Sequence, residues 1–163
     1  MKMYWAWFKY LTKHRWYVFL ECCKAKIPIR GLFHDIDKYL PKQFIPYAKF
    51  HFDKNGNRIN RRDKTGYYDG LNTGNKEFEM SLFLHFRKSK HHDVSWVIPH
   101  RGSYKMFPMD DKSILEMICD WKGAGKANGT PDTIKWYETN GHNQLFHPET
   151  REKVEKILYD KRH

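Results

Sequence analysis

Residues 31–38 of the 163-residue chain have the sequence GLFHDIDK. This stretch is the most informative one for predicting the fold and the chemistry of the protein. A histidine, a carboxylate and an ammonium group lie here within about one helical turn. Imidazole and carboxylate together suit divalent transition metals, and Lys38 falls on the same side as the adjacent pair His34 and Asp35. The stretch therefore indicates a metal site with a cation for phosphate beside it, if further ligands exist elsewhere.

Two candidate ligands lie far from this stretch. His14 belongs to an apolar stripe with spacing three and four, which predicts a helix over about residues 4–25 with His14 facing the core. A histidine in that position is either a hydrogen-bonded core residue or a ligand. Asp120 lies in the almost wholly apolar segment 113–121, where an ionised carboxylate must be paired or bound to a cation.

The order of these residues resembles the ligand set of the HD-domain metal-dependent phosphohydrolase superfamily. The resemblance implies that four residues hold a first metal, namely His14, His34, Asp35 and Asp120. Residues 34–38 are also similar to the HDIGK motif of the HD-GYP branch, where the lysine approaches substrate phosphate, although Asp37 here replaces the glycine. A closer similarity, over most of the chain except residues 51–75, is to an uncharacterised family of small bacterial and phage proteins. It implies no activity.

Histidines between the His-Asp pair and the last aspartate usually accompany a second metal in this superfamily. The candidates are His85, His91 and His92, with Asp35 bridging the two metals. In a continuous helix His85 and His92 would be about 10.5 Å apart along the axis, too far to share one ion. We therefore expect the helix over about 75–90 to end near Lys90, so that His91 or His92 turns back. The alternative is a solvated, basic helix end.

The fold is expected to be mainly α, a compact HD-like helical domain over residues 1–163 with a small β-hairpin insertion at about 51–65. The length fits one core, and Asn55-Gly56 is a favoured hairpin turn. Further helices are predicted over about 41–50, 75–90 and 131–139, from Asp110 or Asp111 through Asp120, and from His147 to near Asp160. Three cysteines without a Cys-x-x-Cys pair indicate no disulfide framework and a cytoplasmic setting, and no run approaches a membrane span. No membrane partner is expected.

The chemistry implied by these residues is metal-dependent hydrolysis of a phosphate ester or anhydride. Lys38 would hold a nonbridging oxygen, and a protonated His91 could assist the leaving group. Asp37 is a possible base, or its side chain points to solvent. Lys126 is a weaker phosphate-binding candidate, the other interpretation being a lysine that interacts with a helix C-terminus. One or two divalent ions are expected, from Mn, Fe, Co, Ni, Zn or Mg.

A net charge of +11 favours anionic partners. Part of the excess lies in the predicted hairpin, where Arg58, Arg61 and Arg62 are expected to border the pocket and select the substrate. The leading hypothesis is a phosphohydrolase acting on a nucleotide or a nucleotide signal. The alternative is a nucleic-acid- or partner-binding protein with a structural or vestigial metal site. The sequence leaves the oligomeric state open.

Overall fold

The computed structural model describes residues 1–160, so the last three residues of the predicted 1–163 domain lie outside the described part. Within it the chain forms seven α-helices, three short 3₁₀ turns and two strands. In chain order the helices and strands are α1 (Lys2–Lys24), α2 (Pro28–Phe33), α3 (Pro41–His51), α4 (Lys76–Phe86), β1 (Val97–His100), β2 (Ser103–Met106), α5 (Asp111–Asn128), α6 (Thr133–Asn140) and α7 (Pro148–Tyr159).

The mainly helical fold with a small β-hairpin is confirmed, but the hairpin lies elsewhere than predicted. Strands β1 and β2 pair antiparallel, with Val97 opposite Met106. In the predicted hairpin segment, 51–65, the structure has a single bridge between Phe52 and Arg58. The turn itself is present, because the Asp53 carboxylate accepts backbone N–H groups two and four residues on. From Arg58 onward the strand pairing does not continue. The side chains of Arg58 and Arg61 pack on the aromatic rings of Tyr10 and Phe50 instead.

The central feature of the fold is the close antiparallel packing of α1 on α5. Val18 meets Gly123, and the Tyr10 hydroxyl donates to Asn128 Oδ1 at 3.3 Å. A Cβ added at Gly123 would lie 2.8 Å from the backbone nitrogen of Val18, so only glycine allows this approach. His14 and Asp120 are carried by these two helices and therefore face one another across the contact.

Two apolar cores flank this helix pair. One joins α1, α3 and α4 and is rich in aromatic rings, such as Trp7 and Phe78. The other joins α5, α6 and α7 and includes Ile114 and Val154. Across residues 1–160 no helix combines the length and the apolar character that crossing a bilayer requires.

Candidate metal centre

The backbone turn at His34 and Asp35 directs both side chains into the protein. Helix α2 ends at Phe33, and Asp35 adopts a left-handed conformation with φ 53° and ψ 22°. Aspartate visits this region more readily than most residues, but it still carries strain of about 1–3 kcal/mol. Arg15 on α1 holds the turn by donating to the carbonyl oxygens of His34 and Leu32, at 2.7 and 2.6 Å. As a result His34 is 1% exposed and Asp35 4% exposed.

The first set of possible ligands is the one predicted from the sequence. Nε2 of His14 lies 3.3 Å from Asp120 Oδ1, and Nε2 of His34 lies 3.4 Å from the same oxygen. Oδ2 of Asp35 lies 3.6 and 3.5 Å from these two nitrogens. The structure brings these four side chains together, and three of them form a group with metal-binding spacing: His14, His34 and Asp120. That they hold one ion stays a prediction.

The second set faces the other oxygen of the same carboxylate. Asp35 Oδ1 lies 3.2 Å from His85 Nε2 and 3.6 Å from His91 Nε2. His92 Nε2 lies 3.0 Å from His85 Nε2, and the four side chains form one group that could hold an ion. Asp35 thus stands between two sets of possible ligands, one on each carboxylate oxygen.

The helix break required for the second set is present, but it occurs earlier than the predicted position near Lys90. Helix α4 ends at Phe86, whose carbonyl accepts the Ser95 hydroxyl at 2.6 Å. The same hydroxyl donates to the Ser89 carbonyl at 2.9 Å. Because these bonds close the chain into a loop, both His91 and His92 return to His85, where one of them was expected.

Outer carboxylates hold the imidazole rings in place. Glu116 Oε1 lies 3.2 Å from Nδ1 of both His34 and His91, so one carboxylate orients a ring of each set. Arg30 donates to its other oxygen at 3.1 Å. Hydrogen bonds of this kind fix the orientation of the imidazole ring in a metal-binding histidine. Neither Glu116 nor Arg30 was predicted from the sequence, although Glu116 lies one helical turn before Asp120 and could have been found from that spacing.

The same three side chains, His34, His91 and Glu116, could also form a metal site of their own. The geometry favours the orienting role for Glu116, because Arg30 already neutralises it and the Nε2 atoms of both histidines face Asp35. Although burial opposes its ionisation, hydrogen bonds from His34 and His91 lower the pKa of Glu116 to about 2. Glu116 is therefore an ionised acceptor.

Buried polar atoms without partners test whether a cation fits this cluster. Within residues 1–160, four of them belong to side chains of the two ligand sets: His14 Nδ1, His34 Nε2, Asp35 Oδ1 and His91 Nε2. The last three lie at the centre of the cluster, between the two sets. A buried polar atom without a hydrogen bond costs about 1–3 kcal/mol, and such atoms are rare in native proteins. Three of these atoms converge within one cluster of imidazole and carboxylate groups. A donor set of this kind suits divalent cations.

Lys38 lies beside the shared carboxylate, as its position in the sequence suggested. Its Nζ atom is 2.6 Å from Asp35 Oδ2 and 5.3 Å from the centre of the Tyr47 ring. Burial lowers the pKa of Lys38, but the charges of Asp35, Tyr47 and Asp120, together with the hydrogen bond to Asp35, raise it above its usual value. Lys38 is therefore a permanent cation at the edge of the cluster.

Asp37 and His91 are placed differently from their expected roles. The Asp37 carboxylate does not point to solvent but lies 2.9 Å from His85 Nδ1, so it orients a possible ligand. His91 is 3% exposed and belongs to the second ligand set, where a proton donor was the expected role. Asp37 therefore lies against a ring of the second set, and His91 belongs to that set; their roles as a base and as a proton donor stay predictions.

The predicted substrate-binding residues divide into two groups. Arg58, Arg61 and Arg62 line one cavity of about 370 Å³. Lys126 lies apart from them, with its Nζ atom 2.5 Å from Glu21 Oε1 in an ion pair between α5 and α1. Its role is therefore to join these helices.

The chain belongs to DUF5662, a family of unknown function, which matches residues 3–160. No curated protein matches the chain significantly. Nor does any solved structure.

Proposed function

We propose that this DUF5662 protein is an HD-type, metal-dependent phosphohydrolase that cleaves a phosphate ester or anhydride with two divalent cations. One observation carries the proposal. The Asp35 carboxylate directs one oxygen towards His14 and His34 and the other towards His85 and His91. A carboxylate shared in this way is suited to bridge two ions.

The donor types favour a transition metal. Histidine nitrogens equal carboxylates in the first set and outnumber them in the second, which favours Mn, Fe, Co, Ni or Zn over Mg. Paired cations of this kind make hydroxide available near neutral pH and neutralise the charge that develops on phosphoryl oxygens.

The chain's own residues would supply orientation and charge around the ions. Glu116 and Asp37 fix the rings of His34, His91 and His85. Lys38, whose Nζ atom lies at the edge of the cluster beside Asp35 Oδ2, would hold a nonbridging phosphate oxygen. A lysine ammonium on a transferring phosphoryl group stabilises the transition state.

Charge supports a nucleotide or a nucleotide signal as the substrate. The chain carries 30 Lys and Arg against 19 Asp and Glu, and three arginines share one cavity. The competing proposal is a nucleic-acid- or partner-binding protein whose metal site is structural or vestigial. The same basic surface favours it, but it gives no reason for a carboxylate shared by two ligand sets.

Turnover separates the two proposals. Protein purified without chelators would be analysed for bound metals, stripped, and reloaded with each divalent ion in turn. We expect release of phosphate or nucleoside monophosphate from at least one member of a nucleotide panel, abolished by chelation and restored by metal. Salt-dependent binding of single or double strands without turnover in any metal-loaded form would instead support the binding protein.

The Lys38→Ala variant tests the assignment of Lys38 to substrate. We expect it to retain the metal content of the wild type and to lose about 10²–10³-fold in kcat, because its ammonium contacts substrate oxygens and not the cation. Metal analysis and steady-state kinetics on one preparation measure both quantities. Lys42→Ala, an exposed lysine on α3, is the control. If metal and activity fall together, Lys38 serves the cluster's structure.

A further inference from the structure

Two adjoining cavities between the basic segment 58–66 and helices α5 and α6 form a groove. They have volumes of about 370 and 450 Å³ and share three lining residues, Arg62, Asn128 and Thr130. The first, the arginine chamber, also contains Arg58 and Arg61. The second, the tryptophan chamber, contains Trp121 and Trp136. Both volumes lie in the range of about 300–1,000 Å³ that is typical of small-molecule sites.

The tryptophan chamber suits a planar, partly polar ring. The Trp121 and Trp136 rings have centroids 5.3 Å apart and an interplanar angle of 50°, so they form two walls rather than one stack. Thr133 lines the same chamber, is 8% exposed, and its Oγ1 atom has no hydrogen-bond partner within residues 1–160. Indole faces stack on bases of any identity, and a buried hydroxyl without a partner can bind a ring nitrogen or an exocyclic group.

The arginine chamber suits phosphate. Arg58 and Arg61 lie over the rings of Tyr10 and Phe50, with their guanidinium carbons 4.2 and 4.5 Å from the ring centres. Among residues 1–160, no acidic residue lines this chamber. Burial and the charge of Arg58 lower the pKa of His51, on its wall, to about 3, so the histidine is neutral. Held guanidinium groups without acidic partners bind phosphate oxygens in pairs.

The groove lies beside the metal centre. The Tyr10 ring that supports Arg58 also stacks on His14, with centroids 6.3 Å apart. In the tryptophan chamber, Ala124 lies one helical turn after Asp120, about 6 Å along α5. Both chambers therefore approach the first ligand set.

We propose that the groove binds a free nucleotide, with its base in the tryptophan chamber and its phosphates in the arginine chamber. Two rings, a hydroxyl without a partner and three guanidinium groups match the parts of such a ligand in the order in which a nucleotide carries them. The further statement that the terminal phosphate reaches the metal centre rests on the proposed function. Binding itself does not.

Calorimetry on the chelator-treated, full-length protein tests the groove without turnover. The probes are ATP, GTP and inorganic tripolyphosphate, which carries the charges without a base. We expect the nucleotides to bind about 5- to 150-fold more tightly than tripolyphosphate, as expected for stacking of one base. Equal affinities would overturn the proposal. It would also be overturned if single-stranded oligonucleotides bound and free nucleotides failed to displace them.

Variants assign the binding to the two chambers. Trp136→Ala should remove the advantage of nucleotides over tripolyphosphate, and Ala124→Leu should do the same by filling the chamber while the second apolar core stays intact. Trp16→Ala, on the exposed face of α1, is the control. Replacing Arg58, Arg61 and Arg62 with Gln should weaken all probes alike and flatten the salt dependence. Unchanged nucleotide affinity in folded Ala124→Leu, or in the triple variant, would overturn the proposal.

The two proposals fail separately. Nucleotide binding that depends on Ala124 and Trp136, with no turnover in any metal-loaded form, would reject the hydrolase and keep the groove. Hydrolysis of a nucleotide with an unchanged KM in Ala124→Leu would reject the groove and keep the hydrolase.

Discussion

The Asp35→Ala variant should lose all tightly bound metal, because one carboxylate serves both ligand sets. Asp35 contacts His14 and His34 through one oxygen and His85 and His91 through the other. Elemental analysis after purification without chelators measures the ratio of metal to chain. The loss should exceed that in Asp120→Ala, because Asp120 contacts the first set alone.

Two comparisons keep this result interpretable. Asp35→Asn retains a side chain that tolerates the left-handed backbone, and it removes one anionic oxygen. It separates loss of the ligand from loss of the turn. Asp111→Ala removes an exposed carboxylate at the start of α5 and should keep the full metal content. An unchanged metal-to-chain ratio in both Asp35→Ala and Asp120→Ala would show that the ions bind elsewhere.

Gly123→Ala should lower the stability of the whole protein. The added Cβ would lie 2.5 Å from Val18 Cγ2, 2.8 Å from its backbone nitrogen and 3.0 Å from its Cα, so α1 and α5 must move apart. Overpacking of this kind costs about 1–3 kcal/mol, against about 1 kcal/mol gained in helix propensity. We expect a net decrease in the free energy of unfolding, measured by urea denaturation, and weaker metal binding.

The control for this prediction is Lys122→Ala, the neighbouring position on the partly exposed side of α5. It changes helix propensity and charge without entering the contact with Val18. If Gly123→Ala were as stable as the wild type and kept its metal affinity, the close approach of the helices would not hold His14 and Asp120 together.

Periodicity explains why so much of the helical architecture could be predicted. The stripe that includes Trp7, Leu11 and Val18 has the spacing of an amphipathic helix, and these residues are the buried face of α1. The same stripe placed His14 inside but could not tell a core histidine from a ligand. That distinction depends on Asp120, which is 106 residues away in the chain and meets His14 only in the folded protein.

The parts that could not be predicted depend on single hydrogen bonds or on tertiary packing. The early end of α4 depends on the Ser95 hydroxyl, nine residues beyond the carbonyl that it binds. The strands β1 and β2 are short and mostly exposed, so they lack an alternating apolar pattern. The opposite error arose at Asn55-Gly56, where a correct turn was taken to imply flanking strands. A favourable turn does not ensure that the flanking segments pair as strands. Here the arginines that follow the turn pack on aromatic rings instead.

The pairing of the first long helix with the fifth has a consequence for synthesis on the ribosome. Helix α1 is made before α5, which supplies part of the surface that covers Val18 and Cys22 and ends at Asn128. At about 5–20 residues per second, the apolar face of α1 stays incompletely covered for several seconds after it emerges. We expect the nascent chain to bind chaperones during that interval. Truncated chains that stop before Gly123 should therefore be captured by them, whereas chains that include α7 should be released.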